Sequence, residues 1–355
     1  MSFFINYNTG DILRQATEST LRYERGQPIS VLDGIPIAIK DEIDCSPYPT
    51  TGGTKWLHKV RPCTDDASCV KHLRLCGAIL VGKTNMHELG AGTSGINPHY
   101  GATRNPYDIG KITGGSSSGS AAVVAAGLCP VALGVDGGGS VRMPAALCGV
   151  VGLKPTFGRI PHSGDDIKTC CSQALDKLQE HYSWKIVDVT IPEIEVMRLA
   201  HYSTIGSECT TSLGSHLEKL NPAEIGWDAR VALSVYGSFS SNEYIKAQKI
   251  RNRQMQFHMK IFAQTDVIVS PTTGVTAYPI QDDASETGEL DYINGAALVR
   301  FSIAGNFLGL PAVTVPVGYD KLGLPIGLQF IGRPWSEPTL IHIASAMQAQ
   351  IKKTE

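Results

Sequence analysis

Long uninterrupted apolar runs are missing from this sequence. The longest, Ala121 to Val135, is broken by Gly127 and Pro130, too interrupted for a membrane-spanning helix. Charge is sparse as well: 18% of the 355 residues are charged, and the formal net charge is -2. No basic excess marks nucleic acid as a partner, and no acidic tail marks a solvating segment. No CxxC pair occurs among the 9 cysteines, Cys45, Cys63, Cys69, Cys76, Cys129, Cys148, Cys170, Cys171 and Cys209. Neither a zinc site nor a thioredoxin-like motif is therefore supported. Their odd number, irregular spacing and frequent apolar surroundings, where a thiol behaves as a small hydrophobe, indicate a reducing compartment. The lack of any Asn-x-Ser/Thr sequon agrees. Met1 to Tyr7 has neither the basic start nor the apolar stretch of a signal peptide. Internal repeats and low-complexity segments are absent too.

What is present is enough apolar sequence, 42%, to bury a large core. Thr9 to Glu24 reads as a polar amphipathic helix. Pro36 to Ile39 reads as a buried strand that ends at Lys40. Ser68 to Cys76 reads as a helix, Ala78 to Val81 as a strand, and Ser118 to Gly127 as a small-residue helix packed close to its neighbours. A short strand over Pro130 to Val135 follows. Asp165 to Tyr182 and Asn242 to Phe262 look helical; Asp266 to Ser270, Ala312 to Val317 and Gly327 to Ile331 look like buried strands. Gln281 to Asp291 reads as a surface loop. Strands alternating with helices give an α/β fold class, read as one domain spanning residues 1–355.

The 37 glycines are not spread evenly. Two segments are dense in Gly and Ser: Gly114-Gly115-Ser116-Ser117-Ser118-Gly119-Ser120 and Asp136-Gly137-Gly138-Gly139-Ser140-Val141-Arg142. A linker would explain either alone, but both are embedded in apolar, structured sequence. Glycine runs inside a fold mean close backbone approach or positive φ. Serine is a weak nucleophile and needs a base, and acyl hydrolysis needs donors aimed at an oxyanion. Consecutive glycines ahead of Ser140 can present several N–H groups in one concavity.

The runs TGGSSSGSAAVVAAG and GVDGGGSVRMPAALCGVVGLKPTFGR resemble the amidase signature. GIPIAIKDEID upstream, and FSIAGNFLGLPAVTVPVG and PIGLQFIGRPW downstream, resemble further segments of that family. Within it, DEIDCSPYPTTGGTKWLHK and GVDGGGSVRMPA look most like the plant-type fatty acid amide hydrolases. The resemblance implies a mixed twisted β-sheet core covered by helices on both faces. It implies a Ser-Ser-Lys triad, with Ser140 as nucleophile, Lys40 as ultimate base and Ser116 as relay after a cis Gly115–Ser116 peptide. Oxyanion donors would be the amides of Gly137, Gly138, Gly139 and Ser140. It implies no cofactor and no metal, and a lipid amide such as an N-acylethanolamine as substrate. It implies association with the cytoplasmic side of a membrane, the endoplasmic reticulum or the plasma membrane, through peripheral contact, and it leaves room for a homodimer. A general amidase or an amidotransferase component shares the same triad. Burial after an apolar strand favours the neutral amine that Lys40 must be as a base, whereas Asp41 and Glu42 beside it favour the ammonium. Arg142 and Asp136 are expected to orient the glycine loop. Val123, Val124 and Leu128 are expected to contribute to an acyl-chain environment.

Two other patterns are rejected. Gly77 to Thr84 fits the P-loop spacing, but its middle is a strand-forming run rather than a loop with free amides. Gly115 to Gly119 fits the GxSxG elbow with Ser117 as nucleophile, yet no strand precedes it. The histidines show no metal spacing and read as ordinary polar or partly buried residues. One departure from the family stands out: after Gly164 several dozen residues of its pattern are skipped, and Asp165 follows directly. An internal deletion there, in a shortened chain of impaired activity that at most binds lipid or a partner protein, is the alternative expectation.

Overall fold

The computed structural model describes residues 1–156, 183–218, 221–289 and 291–351. The helix expected over Asp165 to Tyr182 and the Gly164–Asp165 junction lie outside the described residues. Two compact units divide the chain by its contacts. The first comprises Met1–Val135, Asn221–Ala229 and Pro279–Glu289; the second comprises Asp136–Leu220, Arg230–Tyr278 and Leu290–Glu355.

The first unit is built on a four-stranded mixed sheet in the order β1 (Phe4–Asn6), β3 (Ile79–Thr84), β2 (Pro36–Lys40), β4 (Val131–Leu133). β2 runs parallel to both β3 and β4, with Lys40 paired to Thr84 and Ile37 to Val131; β1 is antiparallel to β3. A central parallel strand is covered on both faces and so reads as a continuous apolar run. Ile37 and Ile39 pack with Val70 and Leu80 on one face, and Ala38 with Phe3, Ala122 and Val123 on the other. The helices here are α1 (Thr9–Glu24), α2 (Leu57–Val60), α3 (Ser68–Leu75) and α4 (Ser118–Ala125). Asn8 caps α1 by accepting the Asp11 N–H at 3.0 Å. α4 is buried from Ser118 to Val123, which its small residues permit.

The second unit holds a four-stranded antiparallel sheet in the order β5 (Gly152–Lys154), β7 (Ala312–Tyr319), β8 (Pro325–Gly332), β6 (Val267–Pro271). α5 (Arg142–Leu147) follows the glycine loop; α6 (Ile194–Leu217) and α8 (Ser241–Phe262) pack on each other. α7 (Trp227–Gly237) starts in the first unit and continues into the second. One face of the sheet buries Ile268, Ala312 and Ile331 with Phe262 and Phe307; the other buries Val313, Val315, Leu328 and Phe330 with Leu340 and Ile343. The last two belong to α12 (Glu337–Ile351), and Phe307 to α11 (Ile303–Phe307), which follows α10 (Tyr292–Val299).

The expected α/β class, with sheets flanked by helices, is what forms. One local reading is corrected. Within Gln281 to Asp291 a one-turn helix, α9 (Ala284–Thr287), forms and Ala284 is buried, so that stretch is not simply a surface loop. Among the described residues, no helix is long and apolar enough to cross a membrane.

Candidate active site

In the first unit, β2 delivers Lys40 into a fully buried position. Its Nζ donates to Ser116 Oγ at 2.7 Å and to the Val135 carbonyl at 3.3 Å, and lies 2.5 Å from Glu42 Oε1. Ser116 is buried just before α4, and the Gly115–Ser116 peptide is cis. The neighbouring lysine is tied up differently. Lys83 Nζ lies 3.3 Å from Asp41 Oδ1 and donates to Thr50 Oγ1 at 3.1 Å and to the Pro49 carbonyl at 3.2 Å. Burial nonetheless holds the Asp41 carboxyl above its ordinary range, outweighing the Lys83 charge and the Thr51 hydrogen bond. Lys83 belongs to the Gly77–Thr84 run, most of which is β3, so the phosphate-loop spacing is a strand here.

Ser117 is engaged by the backbone. Its hydroxyl donates to the Val135 carbonyl at 3.2 Å and accepts the Val135 N–H at 3.3 Å. No strand precedes it in residues 105–113, so no nucleophile elbow is built. Val123 is also spent: it lies wholly in the core cluster with Phe3 and Ala38, which corrects its expected place beside an acyl chain, and Leu128 is exposed.

The second unit carries the glycine loop and Ser140, which is buried. The loop is wound around the carboxylate of Asp136. Asp136 Oδ1 accepts the Gly139 N–H at 2.7 Å; Oδ2 accepts those of Val141 at 3.1 Å and Arg142 at 3.3 Å. Arg142, fully buried, grips the same carboxylate through Nε and Nη2, each at 3.0 Å. Its remaining donors reach Gln329 Oε1 at 2.5 Å, Asn306 Oδ1 at 2.8 Å and the Ser302 carbonyl at 3.2 Å. Burial pushes the Asp136 carboxyl up, but the charge and hydrogen bonds of Arg142, aided by Asn306 and Val141, hold it well below the usual carboxylate range. Gly139 has φ +114°, and a Cβ there would collide with Ser302, so only glycine fits. The Gly139 N–H, expected as a free oxyanion donor, is committed to Asp136, which leaves Gly137, Gly138 and Ser140 as candidate donors.

Two buried groups of this unit escaped the sequence reading. His201 of α6 lies beside the loop, its Nε2 3.5 Å from where a Cβ of Gly138 would stand. Burial pushes its imidazole down to about 4, and it meets the Phe307 ring edge-on with centroids 5.9 Å apart. Lys154, at the end of β5, donates to the carbonyls of Pro155 and, at 3.3 Å, Leu310. Burial, with the Arg142 charge adding to it, pushes its amine from 10.5 down to about 7. Above that value the unfolded chain holds a proton that the folded chain lacks. Stability contributed by this group therefore rises with pH from about 7 to about 10.5. Lys154→Met should remove that rise, worth up to a few kcal/mol at about 1.4 kcal/mol per pKa unit. Urea midpoints of both proteins across that range check this; parallel curves would contradict it.

The chain is similar to known proteins in both sequence and fold. The family model described as Amidase matches residues 4–176 and 164–341. A fatty acid amide hydrolase of Arabidopsis thaliana is 43% identical over 421 aligned positions, covering 98% of this chain and 69% of that protein. A component of the glutamyl-tRNA(Gln) amidotransferase of Persephonella marina is 32% identical, covering 94% of this chain and 87% of that protein. Among solved structures, a peptide amidase in complex with chymostatin superposes with a TM-score of 0.77 at 27% identity, covering 98% of this chain and 89% of that one. A member of a vestigial complex related to an s-triazine catabolic enzyme superposes with a TM-score of 0.85 at 26% identity, covering 98% of this chain and 90% of that one. On the family match and these identities, the chain belongs to the amidase-signature family and is an amidase.

Proposed function

We propose that this amidase hydrolyses fatty acid amides through Ser140, Ser116 and Lys40. The observation that carries the catalytic part is the buried contact of Lys40 Nζ with Ser116 Oγ at 2.7 Å, which supports reading the lysine as the base. In the reacting form Lys40 is a neutral amine and the same contact runs the other way. Ser140 Oγ attacks the amide carbon and passes its proton to Ser116 Oγ, whose own proton goes to Lys40 Nζ. The oxyanion is met by backbone amides of the glycine loop. Collapse breaks the C–N bond, and the relay returns the proton to the leaving amine. Water then attacks the acyl-enzyme by the same relay and releases the fatty acid.

The lipid part rests on the 43% identity to a plant fatty acid amide hydrolase. Each methylene buried from water contributes about 0.8 kcal/mol, roughly fourfold in rate if it is buried in the transition state. kcat/KM measured from acetamide-like substrates to long-chain N-acylethanolamines should therefore climb steeply and then level. Equal efficiency along the series would overturn the lipid reading, and activity confined to glutamine would favour an amidotransferase role, to which the 32% relative points. A shortened chain of weak activity is the second reading. The 421 aligned positions exceed the 355 residues of the chain, so that relative carries residues with no counterpart here.

A further inference from the structure

Behind Ser116, within the first unit, lies a cluster of buried acidic and histidine side chains that the proton relay does not use. His87 and Glu88 follow β3. The imidazole Nε2 of His87 lies 2.7 Å from Asp228 Oδ2, and both side chains are almost fully buried. Glu88 Oε2 accepts the Gly226 N–H at 2.8 Å, and its Oε1 lies 2.7 Å from His99 Nε2. These are two separate pairs; among the described residues, no three such side chains converge as ligands for a metal ion. Together they fasten the Gly226–Asp228 segment, distant in sequence, onto residues 87 and 88.

The backbone of His87 is what matters for the site. Its N–H donates to the carbonyl oxygen of Ser116 at 3.1 Å. That bond fixes the peptide plane on the C-terminal side of Ser116, while Lys40 holds the hydroxyl from the other side. The next residues are pinned along the same run: Gly119 N–H donates to the Asn85 carbonyl at 2.9 Å, and the Ser120 and Thr84 hydroxyls meet at 2.8 Å. Gly92 packs so close to the His87 ring that a Cβ there would collide with the imidazole. Asp228 is held in turn: its Oδ1 accepts the Ala229 N–H at 2.8 Å, and a Cβ on Gly288 would come within 2.6 Å of the same oxygen. Burial pushes the Asp228 carboxyl up, and the close approach of the His87 imidazole more than reverses this. A buried polar pair contributes little net stability compared with apolar packing of the same volume.

We propose that the buried His87–Asp228 pair is a positioning device for the relay hydroxyl, acting through the His87 N–H that holds the Ser116 carbonyl. The inference rests on the assignment of Ser116 as relay. Neither side chain touches substrate; each acts through Ser116. A misplacement of about 1 Å at a reacting group costs on the order of a hundredfold in rate.

The test is a double-mutant cycle with Asp228→Asn and Ser116→Ala, scored as kcat per site labelled by a fluorophosphonate. Counting labelled sites removes any loss of folded protein from the rate, so a merely structural role leaves the number unchanged. Asp228→Asn should lower kcat per site roughly ten- to hundredfold, with KM within about twofold. In the Ser116→Ala background it should cause no further loss, because the group it positions is gone. If Asp228→Asn does not fold, His87→Gln, which keeps the backbone N–H, carries the same expectation. Wild-type kcat per site, a change in KM alone, or full additivity with Ser116→Ala would each overturn the inference. If Ser116→Ala itself turns over like wild type, the relay assignment falls and this inference falls with it. If Ser116→Ala is impaired while Asp228→Asn is not, only the inference falls.

Discussion

Replacing Lys40 by alanine should lower turnover by on the order of a hundred- to ten-thousandfold, the range for removing a positioned acid–base group. The physical reason is local. Ser116 Oγ has Lys40 Nζ at 2.7 Å, and without that amine the proposed relay from Ser140 loses its terminal acceptor. The fold should survive, since the charged partner of Lys40, Glu42, is partly exposed and can be solvated, whereas Asp41 keeps Lys83. Kinetics on protein checked by thermal unfolding decide it. Turnover within about threefold of wild type would remove Lys40 from the mechanism, since a positioned acid–base group is worth far more. Attention would then turn to Lys154, a buried lysine whose amine is pushed down to about 7.

Arg142→Met should be the most destabilising of these substitutions. It strands the Asp136 carboxylate, which is buried and accepts the Gly139, Val141 and Arg142 amides along with the guanidinium. Removing one partner of a buried pair costs about 3–5 kcal/mol. At about 2–4 °C per kcal/mol for chains of a few hundred residues, Tm should fall by roughly 10 °C. Activity should fall further than folding does, because Asp136 no longer holds the Gly139 peptide in place. Asp136→Asn added to Arg142→Met should recover part of the loss, since the uncompensated charge is gone. The effect has a pH signature. The folded carboxyl titrates well below the ordinary 3.8, so its stabilisation is full above that value and is lost as pH falls below it. An unchanged Tm for Arg142→Met would contradict the account of the loop.

The parts of this site that could be read from sequence are those whose chemistry is local. Pro36 to Lys40 is legible because a strand buried on both faces is apolar at every position before its terminal lysine. The glycine loop is legible because Gly139 needs a positive φ beside Ser302. α6 is hard to read because it is rich in Ser and Thr and has no clear apolar stripe. Its hydroxyls are satisfied within the helix: Thr204 donates to the Ala200 carbonyl at 2.9 Å, Ser207 to Ser203 at 2.7 Å and Thr210 to Gly206 at 3.0 Å. That Asp136 and Arg142 orient the loop is legible from their place beside the glycines, but which amides Asp136 takes, that of Gly139 among them, depends on a backbone path that residue types do not give. His87 reads as an ordinary histidine, since nothing near it in sequence announces Asp228. Val123 shows the opposite error. Its apolar character suggests a substrate contact, whereas the back face of β2 claims it.

The central claim, that Ser140 is the nucleophile, is tested most directly by the site of covalent labelling. The folded protein treated with a fluorophosphonate and digested should carry the adduct on the peptide containing Ser140, at one per chain. Ser140→Ala should abolish it, and Lys40→Ala should slow it. An adduct on Ser117 in the wild-type protein, or labelling that persists in Ser140→Ala, would contradict the account.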